Sequence, residues 1–188
     1  IHQFVTVLKD GEPVKMSTRK ANFISLDKLI DEVGADVTRF FFIMRSINTH
    51  LNFDLDLAKE QSDDNPVFYI QYAHARCCNI IRRFEKNLDS LNSEILSELT
   101  TELESQIIGK LLKFPELIQK TAETLEPQNI SNYLTELSST LHSYYAKERV
   151  IGLDNIKLTE ARIYLINAIR IVLRNGLDVL GISAPEKM

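Results

Sequence analysis

The sequence predicts a mainly α fold: a helical bundle preceded by a small mixed α/β region. Three observations carry this expectation. The first sixty residues mix a β-branched alternating stretch, an Asp-Gly turn and short helical segments; beyond Pro66 helical periodicity runs almost without interruption; and 188 residues at 44% hydrophobic suffice to bury a sizeable core in one or two domains. The boundary between the two regions is expected near residue 61, giving segments 1–60 and 61–188.

The elements follow in order. Phe4-Val5-Thr6-Val7-Leu8 alternates like a strand and Lys9-Asp10-Gly11-Glu12-Pro13 supplies turn chemistry, so the opening reads as a hairpin. A short helix is expected over Leu26 to Val33, closed by Gly34, and a second over Ala35 to Ser46, where Val37, Phe40, Phe41 and Met44 recur at helical spacing. Leu51 to Asp54 is a brief extended piece, and Asp54 to Glu60 begins a linking helix or turn that ends near Asn65. Asn65 is a suitable cap and Pro66 a suitable first helical residue for the first long helix, Pro66 to Lys86. Three more follow: Ser97 to Leu125 with a break near Pro115, Pro127 to Val150, and Thr159 to Leu180, the last ended by Gly181.

Composition narrows the function. Net charge is −4, from 22 basic and 26 acidic residues, which gives no global electrostatic case for nucleic-acid binding. The distribution is uneven. From Pro66 to Phe84 there is no acidic residue, while Arg76, Arg82 and Arg83 fall inside the stretch; Leu91 to Glu126 is rich in glutamate. Any phosphate-facing surface is therefore expected on the first segment. Cys77 and Cys78 are adjacent, and neither a metal site nor a structural disulfide is expected. The longest apolar runs fall well short of the roughly 20 residues of a membrane helix, and a cytoplasmic protein without membrane or DNA partners is expected.

On the first long helix, Ile70, Ala73, Cys77, Ile80, Ile81 and Phe84 share one apolar face, which reads as core. Tyr69, Tyr72, Arg76 and Arg83 fall on a neighbouring stripe. Such a stripe either stacks an unpaired base and holds its phosphate or edge, or consists of boundary tyrosines and surface arginines. His74, on the opposite flank, reads as structural. Of Tyr144 and Tyr145, adjacent on a helix, one is expected in the core and the other outside. Asp54 and Asp56 read as linker or capping residues, since nothing else converges on them for acid–base work.

Several motifs together support a resemblance. Lys15-Met16-Ser17 is similar to the start of the KMSKS signature of class I aminoacyl-tRNA synthetases. With Asp31-Glu32-Val33-Gly34-Ala35-Asp36, Phe41 to Ser46, Leu51 to Ala58, Asn65 to Arg76 and Asn175 to Ile182, the chain resembles the arginyl-tRNA synthetases over nearly its whole length, most weakly from about Asn87 to Gln128. The resemblance implies a remnant of the catalytic region and a connecting segment over 1–60, then a helical anticodon-binding domain of the DALR type over 61–188. A chain that opens at Ile1 just ahead of that loop is expected to be a C-terminal part of a longer enzyme.

What the family does is implied in the same way. The parent would join L-arginine to tRNA(Arg) using ATP, with Mg2+, in protein synthesis; no cofactor is expected on this piece, which is not expected to complete the reaction alone. Lys15, Arg19 and Lys20 would serve the ATP and pyrophosphate side. Thr18 stands where the signature has its second lysine, so Arg19 or Lys20 would have to supply that cation; the other reading makes Lys15, Arg19 and Lys20 a basic loop near tRNA. Tyr69, Tyr72, Arg76, Tyr145 and Met188 would surround the anticodon. The competing expectation is a helical protein-interaction module without RNA binding, using the acidic middle helices.

Overall fold

The computed structural model describes residues 5–16, 23–84, 86 and 93–188. A three-stranded sheet opens the chain. Strands β1 (Val5–Lys9) and β2 (Glu12–Pro13) pair antiparallel, with Leu8 opposite Pro13 and Lys9 opposite Glu12. Asp10 (φ 52°) and Gly11 (φ 76°) both adopt the left-handed conformation that a two-residue hairpin loop demands. On the other side of β1, strand β3 (Leu51–Asp54) runs parallel to it, from Val5 opposite Leu51 to Leu8 opposite Asp54.

Helices α1 (Leu26–Val33) and α2 (Ala35–Ile43) bridge β2 and β3 in the sequence. Gly34 joins them: at φ 87° it donates its N–H to the Ile30 carbonyl to close α1, while its own carbonyl accepts from the Thr38 N–H and hydroxyl. α2 stops at Ile43 rather than Ser46, because Ser46 is taken into a turn closed by the Thr49 N–H. Phe41 and Phe42 meet Phe53 of β3 at ring separations of 5.2 and 5.9 Å.

Local capping chemistry then sets the junction with the bundle. Asp54 accepts from the Asp56 and Leu57 N–H groups and starts α3 (Leu55–Lys59), while Asp56 accepts from the Asp10 N–H of the hairpin. Both aspartates are thus structural. Asn65, 1% exposed, accepts from the Val67 N–H to cap α4 (Pro66–Arg82) and donates to the Ala58 and Glu60 carbonyls at the end of α3. One side chain sets the angle between α3 and α4.

The bundle comprises α4, a 3-10 turn (Ser93–Glu98), α5 (Glu102–Thr124), α6 (Gln128–Lys147) and α7 (Ile156–Val179). α4 packs on α6 and α7, and α5 covers the other side of α6 and α7. Ile70, Ala73 and Cys77 of α4 meet Leu134, Leu137 and Leu141 of α6 and Ile166, Ile169 and Leu173 of α7 in a core that continues to Val7, Phe40 and Phe53 of the α/β region. Gly176 lies so close to Leu134 that an added Cβ would sit 2.6 Å from its Cδ2 and force that side chain to shift.

Several helix boundaries depart from expectation, for reasons the periodicity does not carry. α5 runs unbroken through the exposed Pro115, held by Leu111 and Ile118 on either side, which pack against the core. The helix begins at Glu102 rather than Ser97 because Thr101 and Glu104 form a capping box. α6 ends at Lys147 rather than Val150 because Glu148 turns extended (φ −113°, ψ 124°) and reaches Arg162. α7 starts directly after Asn155, whose side chain caps it.

Arg162 is the charged centre of the bundle. It is 5% exposed, and its Nε donates to Glu104 Oε1 (2.9 Å), one terminal nitrogen to Glu148 (2.7 Å), the other to the Arg149 carbonyl (2.8 Å). Glu104, fully buried, also accepts from the Tyr144 hydroxyl. Arg162→Met leaves the Glu104 carboxylate buried and uncompensated, and is expected to cost about 3–5 kcal/mol in urea denaturation. Combining it with Glu104→Gln should recover a large part of that loss; an additive double variant would exclude the coupling.

Candidate nucleic-acid interface

The exposed flank of α4 carries the expected stripe, and α6 supplies its other wall. Tyr145 lies across from Arg76, whose guanidinium carbon sits 4.2 Å from the Tyr145 ring centroid and 5.9 Å from that of Tyr72. A guanidinium on an aromatic face is held by the ring quadrupole while its N–H edge remains available. Arg76 has no carboxylate partner among the described residues. Tyr144 is fully buried and turned to Glu104, so the adjacent tyrosines divide as expected, one in the core and one facing outward.

The C-terminal tail supplies the third wall. α7 closes in a Schellman motif, with Gly181 at φ 67°, its N–H on the Asp178 carbonyl and the Ile182 N–H on the Leu177 carbonyl. The tail is then fastened to two helices. Asp36 of α2 accepts from the Ser183 N–H and hydroxyl, and Gln71 of α4 donates to Asp36 and to the Ser183 carbonyl. Farther along, the His74 ring donates from Nδ1 to the Pro185 carbonyl (2.9 Å). His74 is 1% exposed and plays the structural role expected of it. This path delivers Glu186, Lys187 and Met188 to a cleft of about 440 Å³ lined also by Tyr72, Arg76, Asn79, Arg82, Arg83 and Tyr145.

Of the expected contact residues, Tyr72, Arg76, Tyr145 and Met188 therefore share one cleft. Tyr69 lies one turn back on α4 and connects to it through His142 of α6, whose ring is 4.9 Å from Tyr69 and 5.8 Å from Tyr72, stacked on the latter at 23°. His142 was not anticipated. Its signal was its position three residues before Tyr145 on the same helical face. Its Nε2 is buried and has no hydrogen-bond partner among the described residues. Lys15 is exposed beyond β2 and does not line the cleft; Arg19 and Lys20 lie outside the described residues.

Cys77 and Cys78, both reduced, sit behind this face at 0% and 7% exposure. Burial pushes both thiols up, that of Cys77 beyond the range in which it ionises in water. Among the described residues no His, Cys, Asp and Glu cluster could hold a metal ion, and no helix is long and apolar enough to cross a membrane.

A helical bundle with a cationic, aromatic-walled cleft on one face has the architecture of an RNA-binding helical domain. Residues 70–188 match the DALR anticodon binding domain, and the chain belongs to that family. It is 50% identical over 189 residues to the arginine–tRNA ligase of Salinibacter ruber and 50% identical over 192 residues to that of Chlorobium limicola. All of this chain is covered in both, against 34% and 35% of those proteins, so the chain spans about a third of the length of the curated relatives it matches. Among solved structures, one described as an arginyl-tRNA synthetase from Campylobacter jejuni superposes with a TM-score of 0.88 at 29% identity, covering 100% of this chain and 40% of that one. The Thermus thermophilus arginyl-tRNA synthetase gives 0.72 at 27% identity, covering 91% and 29%.

Two buried histidines, His74 beneath the tail and His142 behind the cleft, make stability pH-dependent. Burial lowers the pKa of both His74 and His142 from 6.5, with the Arg76 charge adding to the effect at His142. The unfolded chain therefore binds more protons than the folded one below about pH 6.5, and stability is lost as pH falls from there through the depressed folded values. Urea denaturation at pH 7.5 and 5.0 should show a smaller acid loss in His74→Gln and His142→Gln than in the unsubstituted chain. An identical loss in all three would exclude these rings as its source.

Proposed function

We propose that this chain is the tRNA-binding part of an arginine–tRNA ligase, and that it holds the anticodon of tRNA(Arg) against α4, α6 and the C-terminal tail. The observation that carries this reading is the juxtaposition of Tyr72, Arg76 and Tyr145, with Met188 at the rim of the same cleft. An unpaired base is planar, apolar on its faces and polar on its edge. Tyr72 and the Arg76 guanidinium that lies on Tyr145 offer planar surfaces on which it can stack, base–aromatic stacking being worth about 1–3 kcal/mol per base. Arg76, already resting on Tyr145, presents its donors to the base edge or a phosphate without first having to be ordered. Met188 adds a pliable apolar wall, and Tyr69, through His142, supports Tyr72 from behind.

The division at residue 61 fits this reading: segment 61–188 binds the anticodon, and segment 1–60 connects it to the catalytic region. In the longer, cytoplasmic protein, ATP with Mg2+ and L-arginine would be the substrates that charge the tRNA. Lys15, Arg19 and Lys20 would serve the pyrophosphate side, with Arg19 or Lys20 replacing the cation that Thr18 cannot supply.

Fluorescence titration or gel shift with a tRNA(Arg) transcript and a second tRNA, each at two salt concentrations, tests the reading. The chain should prefer tRNA(Arg), and Arg76→Ala should weaken that binding by about 1–3 kcal/mol while narrowing the preference. Equal affinity for both tRNAs would sink the anticodon reading, and an unchanged Arg76→Ala variant would remove that residue from the site.

A further inference from the structure

We propose that the groove on the other side of Tyr145 is a second RNA subsite, one that takes the phosphodiester backbone of the strand leaving the Tyr72, Arg76 and Tyr145 cleft. The inference rests on the RNA-binding reading above. The groove, about 590 Å³, lies beside the end of α6 and the loop that follows, and Ile80, Arg83 and Tyr145 line both it and the cleft. The cleft and the groove thus adjoin along Ile80, Arg83 and Tyr145. A strand with one base in the cleft passes Tyr145 to reach the groove.

The lining selects phosphate over base. Tyr145 is the groove's one aromatic residue among the described residues, whereas Arg83, Lys147 and Arg149 all contribute to its wall. None of the three has a carboxylate partner among the described residues. The acid in the lining, Glu148, is already bound to Arg162 at 2.7 Å, so its charge is compensated from beneath the surface. Arg149 is fixed at both ends. Its carbonyl accepts from Arg162, and its Nε donates to the Ile151 carbonyl (3.0 Å). Gly152, at φ 75°, allows the guanidinium to lie close: a Cβ there would come within 3.0 Å of an Arg149 terminal nitrogen. The buried ion pair and the glycine thus prepare a cation whose remaining donors have no partner among the described residues. Such preparation suits a phosphate oxygen.

Phosphate contacts change affinity and its salt dependence but carry no sequence information, which separates this subsite from Arg76. The test titrates tRNA(Arg) and a second tRNA across a salt series with the unsubstituted chain, Arg76→Ala, Lys147→Gln/Arg149→Gln and Lys120→Gln, the last on the exposed face of α5 as a charge control. The groove double variant should bind tRNA(Arg) roughly tenfold more weakly at about 0.1 M salt, with a log–log slope shallower by roughly 0.7 for each phosphate that is no longer neutralised. Its preference for tRNA(Arg) should stay intact. Arg149→Lys, which keeps the charge, should retain most of the slope, and denaturation curves confirm that each variant is folded. A double variant with the original slope, or a Lys120→Gln variant that weakens binding as much, overturns the subsite while the preference of the unsubstituted chain leaves the anticodon reading standing. Loss of that preference in the unsubstituted chain defeats the anticodon reading itself, and absence of RNA binding defeats both.

Discussion

The cleft between α4, α6 and the tail depends on a contact it does not contain, the buried pairing of Arg162 with Glu104. Desolvating two charges costs several kcal/mol per ion, and this is offset only when nearly every donor and acceptor is satisfied. Here the guanidinium bonds Glu104, Glu148 and the Arg149 carbonyl, while Glu104 also receives the Thr101 N–H and the Tyr144 hydroxyl. The start of α5, the end of α6, the following loop and α7 are thereby tied to one point. Because Tyr144 must turn inward to reach Glu104, Tyr145, about 100° farther round the helix, is directed to the surface where Arg76 rests on it. The aromatic wall of the cleft is a by-product of an ion pair in the core.

Electrostatics on this protein is local, and net charge is a poor guide to it. The chain carries −4 overall, yet the α4 flank, the tail and the loop after α6 bring Arg76, Arg82, Arg83, Lys187, Lys147 and Arg149 around the cleft and the adjoining groove, against Glu186 and an Arg162-paired Glu148. The glutamates of the middle region line neither the cleft nor the groove; α5 packs behind α6 and α7. Within roughly one Debye length, about 8–10 Å at physiological salt, a polyanion would respond to the cationic cluster rather than to the sum.

What was legible in the sequence was whatever a few neighbouring residues decide. Asp10-Gly11 specified the hairpin, Gly34 the α1–α2 joint, Asn65-Pro66 the start of α4 and Gly181 the end of α7, each through a backbone conformation or cap that needs no distant partner. Pro115 misled because local chemistry argues for a break while the packing of its flanks holds the helix together. The end of α6 was misplaced because Glu148 leaves the helix to meet a guanidinium fourteen positions on, a pull invisible to periodicity. The α4 stripe of Tyr69, Tyr72 and Arg76 could be read from helical spacing. Which of Tyr144 and Tyr145 would join it was settled by Glu104, forty residues earlier, and His142 needed the α4–α6 packing to reveal it.

The two cysteines bear on how this protein can be studied. Both thiols are buried in α4 and pushed up by that burial, so in the folded state they are poor nucleophiles toward maleimides or iodoacetamides. Both thiols of the folded chain should therefore label far more slowly than an exposed cysteine. A single cysteine introduced on the exposed face, away from the cleft and the groove, would carry a fluorophore or spin label without removal of Cys77 or Cys78, and distances to a labelled RNA could be measured on a protein whose core is untouched.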